Sequence, residues 1–295
     1  MIKLIVSDMD GTLFNSNQEI SPLNIAALKE ANKKGVKFMI ATGRSMDTIL
    51  PTIKKYELEC GLILLNGAEV RDENHNIIDT INIEYDVVKR LSKRLNEMGY
   101  IPEYMTNQSA QICDTEENMY LNMGYRILCL DRERKLSLDQ AIEIGKTSMF
   151  MKTLYRNDSI EDMYRKNVEV RKIIVFNPDG QFNEKNRNIL IEEFPELTIL
   201  SSYPENIEIN AKKAQKGNGL ENAIKKLNID KSEVAVFGDG LNDLSLILQF
   251  PNSYVPSNGN EKLKKNALEV IPSNDDDGVG KKIFEILFQN KLELI

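Results

Sequence analysis

Leu4-Ile5-Val6-Ser7-Asp8-Met9-Asp10-Gly11-Thr12-Leu13 is the stretch from which the fold is read. Leu4-Ile5-Val6 is a short apolar run with a β-branched pair, and Ser7-Asp8 breaks it. A run of this kind is a strand buried on both faces, the kind found in parallel sheets covered by helices. Downstream, Ser21-Pro22 reads as an N-cap followed by a first-turn proline. Leu23, Ala26, Ala27 and Leu28 share one helical face, and Gly35 closes that helix. Residues 36–41 form the next strand, followed by Thr42-Gly43-Arg44-Ser45. Ser45 or Asp47 can cap a helix running to Lys55, and residues 62–65 are a third strand ending at Asn66-Gly67. Strand–helix–strand units of this length imply a parallel sheet with right-handed crossovers.

The same grammar returns late in the chain. A helix is expected over residues 219–227, a buried strand over 234–237, a break at Gly238-Asp239-Gly240 and a short helix over 241–248. Short strands follow near 253–255 and 268–271, and Asp277-Gly278 opens a last helix. The middle reads differently. It holds a helix over 86–98, strands near 101–104, 110–113 and 172–176, and a turn at Pro178-Asp179-Gly180. A helix over 186–194 and an antiparallel pair over 197–201 and 207–210 complete it. The expectation is a discontinuous α/β domain (1–83 and 212–295) with an α+β domain (84–211) inserted in it.

Composition narrows the function. The chain has 295 residues, 38 Lys+Arg against 45 Asp+Glu, and a net charge of −7. A general nucleic-acid binder normally carries the opposite sign, so no nucleic-acid partner is expected. One histidine, His75, excludes multi-His zinc sites. It lies in Glu73-Asn74-His75-Asn76 and reads as an exposed turn residue. Cys60, Cys113 and Cys129 are too few and too widely spaced for a zinc knuckle or a disulfide framework. They suit a reduced, cytoplasmic protein. No signal peptide is evident, and no apolar run approaches the ~18 residues of a membrane span.

Polar residues gather just after the buried strands: Asp8 and Asp10, then Thr42, then Asp239, Asn242 and Asp243. Ligands of open parallel sheets bind outside the carboxyl ends of the strands. Four carboxylates converging there would repel one another, and a hard divalent cation resolves this. Thr42 offers a hydroxyl and Lys216 an ammonium. Helix N-termini at Gly43 and Gly217 would add amide donors for an anion. Together these describe a phosphoryl site.

Asp8-Met9-Asp10-Gly11-Thr12-Leu13 resembles the first motif of the haloacid dehalogenase superfamily phosphatases. Ala41-Thr42-Gly43-Arg44 resembles the second, Lys216-Gly217 the third, and Gly238-Asp239-Gly240-Leu241-Asn242-Asp243 the fourth. The large insertion, Asn66-Gly67-Ala68, and residues 273–279 are similar to the Cof-type subgroup. One departure is Val255-Pro256-Ser257-Asn258-Gly259-Asn260, where members usually carry a Met-Gly-Asn-Ala-like turn. The resemblance implies a doubly wound, Rossmann-like core and an inserted α+β domain that caps the cleft and selects substrate.

It also implies roles. Asp8 is the implied nucleophile and Asp10 the acid/base. Mg²⁺ is expected on Asp8, the Asp10 carbonyl, Asp239 and Asp243, the last directly or through water. Thr42, Gly43, Lys216 and Asn242 are expected to hold phosphoryl oxygens, with Gly11 allowing close approach. The activity expected is a Mg²⁺-dependent phosphatase of small phosphorylated metabolites, sugar phosphates first, with flavin or pyridoxal phosphate chemistry also open. The alternatives are a phosphotransferase or phosphomutase of the same architecture, or a non-catalytic phosphometabolite sensor. Arg44 either touches substrate or forms a structural ion pair. Asn66-Gly67 is either a turn or a cleft-facing element. Tyr104, Met105, Met119, Tyr120, Met123 and Tyr125 either line a pocket or pack the insert. Oligomeric state is not legible.

Overall fold

All four residues of the first strand, β1 (Leu4–Ser7), are buried, as expected of a run with no polar face. In the computed structural model, which describes residues 1–131, 133 and 135–292, β1 leads into a wide turn over Met9–Leu13. Helix α1 (Pro22–Lys33) follows. The Ser21 side chain accepts from the Asn24 amide, and Pro22 stands where no amide proton is needed. Then come β2 (Lys37–Ala41), α2 (Met46–Tyr56) and β3 (Gly61–Leu64). A hairpin of β4 (Glu69–Arg71) and β5 (Ile77–Thr80) ends this part.

The chain next builds α3 (Tyr85–Glu97), β6 (Glu103–Thr106), β7 (Ser109–Cys113), α4 (Glu116–Leu130), α5 (Leu138–Thr147) and α6 (Met149–Lys152). It continues with β8 (Leu154–Asn157), α7 (Ile160–Arg165), β9 (Val170–Phe176), α8 (Gly180–Glu193), β10 (Leu197–Leu200) and β11 (Asn206–Ala211). Helix α8 starts six residues before the expected point. The Asp179 carboxylate accepts from the Gln181 and Phe182 amides, so Pro178-Asp179-Gly180 opens a helix rather than a free-standing turn. Helices α4 and α5 were not expected. Their signals are caps: Thr115 accepts from the Asn118 amide, and Ser137 with Gln140 forms a capping box.

The remainder holds α9 (Lys216–Leu227), β12 (Val234–Phe237), α10 (Leu244–Gln249), β13 (Asn252–Pro256), α11 (Glu261–Lys264), β14 (Glu269–Ile271) and α12 (Gly278–Leu292). A tight 3₁₀ turn over Leu241–Asp243 precedes α10, so that helix begins three residues later than expected.

Two compact units result: Met1–Thr80 with the chain from Ala214 onward, and Ile81–Lys213. The first unit is built on an eight-stranded sheet in the order β14-β13-β12-β1-β2-β3-β4-β5. Strands β14 through β3 run parallel, and β4 and β5 add an antiparallel edge. One face of the sheet packs Leu4, Val6, Met39, Val234 and Val236 against Leu220, Ala223 and Ile224 of α9. Burying each such side chain contributes about 1.5–3 kcal/mol. The second unit has a six-stranded sheet in the order β10-β11-β9-β6-β7-β8, antiparallel except for β7 with β8. Its main core joins Ile173, Val175, Ile207 and Ile209 of the sheet to Val88, Leu91 and Leu95 of α3 and Leu190 of α8.

Candidate active site

Strands β12, β1 and β2 are neighbours, and their carboxyl ends deliver the polar residues. The Asp8 amide donates to the Phe237 carbonyl at 2.9 Å, extending the β1–β12 ladder by one residue. Beyond it the backbone swings out, with Asp10 extended and Gly11 at φ +83°. A Cβ on Gly11 would lie 2.5 Å from Asp239 Oδ2. Both the left-handed backbone and the close approach therefore demand glycine there.

Lys216, at the first turn of α9, is fully buried. Its Nζ donates to Asp8 Oδ1 and to Asp243 Oδ1, each at 2.6 Å. Asp243 Oδ2 accepts from the Asp239 amide at 3.0 Å and the Gly240 amide at 2.9 Å. Asp239 Oδ1 accepts from the Thr12 hydroxyl at 2.6 Å. Burial pushes the Asp8 carboxyl well above its ordinary range; Lys216 opposes this, while Asp243, Asp239 and Asp10 add to it. Asp239 is pushed up to about 6, by burial first and Asp243 next, against the Thr12 hydrogen bond. For Lys216 burial works against the charged form, but Asp243 and Asp8 prevail and hold its ammonium more firmly protonated than usual.

The cluster thus sets one ammonium among three carboxylates. Ligand oxygens of Asp8, Asp239 and Asp243 lie within 4.8 Å of one another. Raised carboxyls in an all-oxygen donor set are what a hard divalent cation relieves. Asp243 serves Lys216 and two amides, Asp8 serves Lys216, and Asp239 serves Thr12. Asp10 is not part of this set through its side chain.

Arg44 takes the Asp10 carboxylate instead. Its Nε donates to Oδ2 at 2.9 Å and its Nη2 to Oδ1 at 2.5 Å, a two-point fork. The guanidinium also stands 5.4 Å from the Phe14 ring centroid. Of the two expectations for Arg44, the ion pair is the one present. Thr42 is buried, and its hydroxyl accepts from the Arg44 amide at 3.2 Å. Asn66-Gly67 is a buried turn of left-handed residues, and the Asn66 amide donates to the Thr42 carbonyl at 3.0 Å. It braces the Thr42–Arg44 loop. Asn242 is half-buried in the turn before α10.

The two helix N-termini need correction. Helix α2 starts at Met46 with Ser45 as its N-cap, so Gly43 lies in the preceding loop. The Gly217 amide donates to the Ser245 hydroxyl at 2.9 Å, and a Cβ there would lie 2.5 Å from the Ser245 carbonyl oxygen. Gly217 is thus a contact between α9 and α10 rather than an anion donor. His75 is a turn residue, half-buried rather than exposed. In the insert, Tyr104 is core and its hydroxyl donates to Ser92 Oγ at 2.8 Å. Met119 and Met123 pack with Ile112 and Leu154, and Tyr120 packs against that cluster. Met105 is buried and Tyr125 half-buried. Thr12, Asn258 and Asn274 were not singled out as site residues. Thr12 lay inside the first motif, and nothing local marked its hydroxyl as a partner of Asp239.

The sequence profile described as haloacid dehalogenase-like hydrolase matches residues 5–283. The phosphatase YwpJ of Bacillus subtilis is 27% identical over 97% of this chain and 100% of its own. The 5-amino-6-(5-phospho-D-ribitylamino)uracil phosphatase YcsE of the same organism is 27% identical over 96% and 94%. Among solved structures, a haloacid dehalogenase-like hydrolase from B. subtilis superposes with a TM-score of 0.78 at 23% identity, covering 96% of this chain and 99% of that one. BT1666 from Bacteroides thetaiotaomicron gives 0.76 at 21% identity, covering 97% and 95%. These two structures bear on the fold alone. Among the described residues, no helix is long and apolar enough to cross a membrane.

Proposed function

Because the chain belongs to the haloacid dehalogenase-like hydrolase family, we propose that it is a Mg²⁺-dependent phosphatase of small phosphorylated metabolites, working through an aspartyl-phosphate on Asp8. The observation that carries this reading is the buried Lys216 ammonium bridging Asp8 and Asp243 at 2.6 Å beside Asp239. The phosphorylated ribityl chain in the name of the relative YcsE favours a phosphorylated sugar or polyol as substrate.

In this mechanism Asp8 attacks phosphorus in line, and the bond from phosphorus to the leaving oxygen breaks. Asp10 gives a proton to the leaving oxygen. It then takes a proton from water as water attacks phosphorus. The bond from phosphorus to Asp8 breaks, and inorganic phosphate and the free carboxylate return. Lys216 keeps Asp8 aimed and offsets the negative charge that gathers around phosphorus. Thr42 and Asn242 hold phosphoryl oxygens, and Arg44 sets the orientation of Asp10 between turnovers. The carboxylates of Asp8, Asp239 and Asp243 and the Asp10 carbonyl would hold Mg²⁺, which would supply positive charge for the phosphoryl oxygens.

The test is a phosphate-release screen over a panel of phosphorylated sugars, polyols and cofactors. Asp8→Asn is the blank. Release that is lost in Asp8→Asn, and lost reversibly with EDTA, is the expected result. Undiminished release by Asp8→Asn would remove Asp8 as nucleophile. Transfer of phosphate to an added sugar in place of release would instead favour a phosphotransferase.

A further inference from the structure

The turn between β13 and α11 reaches two carboxylate-bearing loops at once. Asn258 Nδ2 donates to the Gly11 carbonyl at 2.8 Å, and its Oδ1 accepts from the Asn274 amide at 3.0 Å. Asn274 Nδ2 in turn donates to the Phe14 carbonyl at 2.9 Å. Two residues along the same turn, the Asn260 amide donates to the Asp239 carbonyl at 2.9 Å. Gly259 lets the turn close on itself beside that loop, since a Cβ there would stand 2.7 Å from Val255 Cγ1, 2.9 Å from the Pro256 carbonyl oxygen and 3.3 Å from Asp239 Cα.

The Gly11 carbonyl and the Thr12 amide belong to one rigid peptide plane. Holding the carbonyl fixes that plane, and Thr12 then aims its hydroxyl at Asp239 Oδ1, 2.6 Å away. Hydrogen bonds from one turn thus reach the backbone of the Asp8–Thr12 loop and of the Asp239 loop and tie the two together.

We propose that Asn258 is a positioning residue: its amide locks the Gly11–Thr12 peptide against the Asp239 loop and sets the spacing of the carboxylates. The kinetic part rests on the phosphatase reading above; the structural part does not. Asn258 is exposed, so its replacement leaves the core intact. Asn258→Asp still accepts from the Asn274 amide but turns an oxygen towards the Gly11 carbonyl. Asn258→Ala removes both bonds.

Three measurements decide the matter: the melting temperature, amide hydrogen exchange over residues 9–16, and kcat and KM for p-nitrophenyl phosphate, with Asp8→Asn in parallel. In both variants exchange over 9–16 is expected to rise while the melting temperature holds. The kcat falls about tenfold with KM little changed, the usual scale for a hydrogen-bond partner behind a metal carboxylate. Wild-type exchange and kcat in both variants would overturn the proposal. So would exchange rising across the whole unit, which marks a general structural role. If the unaltered protein releases phosphate neither from p-nitrophenyl phosphate nor from the panel of phosphorylated sugars, polyols and cofactors, the phosphatase reading fails, and exchange over 9–16 alone upholds or overturns the role of Asn258.

Discussion

At the scale of single residues, Lys216 is the most exacting. A fully buried ammonium beside two buried carboxylates is tolerated because each group is paired. Lys216→Met leaves Asp8 and Asp243 facing each other without it. We expect a stability loss of about 3–5 kcal/mol, the scale for breaking a buried pair. Asp8 then holds its proton more tightly, and phosphate release falls about 100-fold or more. Thermal melting and a release assay check both. Asp239 gives a pH prediction. Folded Asp239 keeps its proton up to about pH 6, whereas an unfolded chain releases it near pH ~4. Between those values the folded state binds more protons, so this group's contribution to stability falls as pH rises. A divalent cation must displace that proton. Mg²⁺ affinity should therefore climb between about pH 5 and 7 and level off above. Calorimetric titration across that range reads it, and a flat profile would take Asp239 out of the metal site.

At the scale of elements, the loop from β1 to α1 is the feature that turns a strand into a site. Gly11→Ala meets two obstacles: a left-handed backbone costing roughly 1–2 kcal/mol, and a Cβ 2.5 Å from Asp239 Oδ2. The protein should still fold, because Gly11 is not part of the core. Its phosphate release should drop by more than about tenfold as the two loops are forced apart; unchanged kcat would show that the loops adjust freely. The strands bearing Asp8 and Asp239 were legible because burial on both faces writes them as unbroken apolar runs. The carboxylates were legible because they stand where those runs stop. The partners that orient them were not. Asn258 and Gly11 are 247 positions apart, and no local pattern encodes such a contact. Arg44 stayed ambiguous until distance joined it to Asp10. In the insert, α4 escaped because its buried face mixes Asn122 and Gly124 with Met119 and Met123, and α5 because its buried face holds only Ala141 and Gly145, although Thr115 and Ser137 cap them as any helix start would. Helix α8 was shortened for a related reason: Pro178-Asp179-Gly180 uses turn residues to begin a helix.

At the scale of the molecule, each unit has its own core, so damage to one should be read there first. Ile207 is fully buried in β11. Ile207→Ala should cost about 2–5 kcal/mol and raise amide exchange across residues 81–213, with β1 and β12 still protected. A uniform rise over the whole chain would mean that the two units open together. The sheet order carries a consequence for how the protein is made. Strand β1 is emitted first yet sits between β2 and β12, paired as Leu4 with Val234. About 150 residues separate the end of β5 from that partner, which at ~5–20 residues per second is roughly 8–30 s of synthesis. For that interval one edge of a fully buried, apolar strand has no neighbour from its own sheet, and it is a natural hold for a chaperone. The insert leaves the ribosome complete before β12 exists. The strands that carry Asp8 and Asp239 therefore pair only after the whole insert has been synthesised.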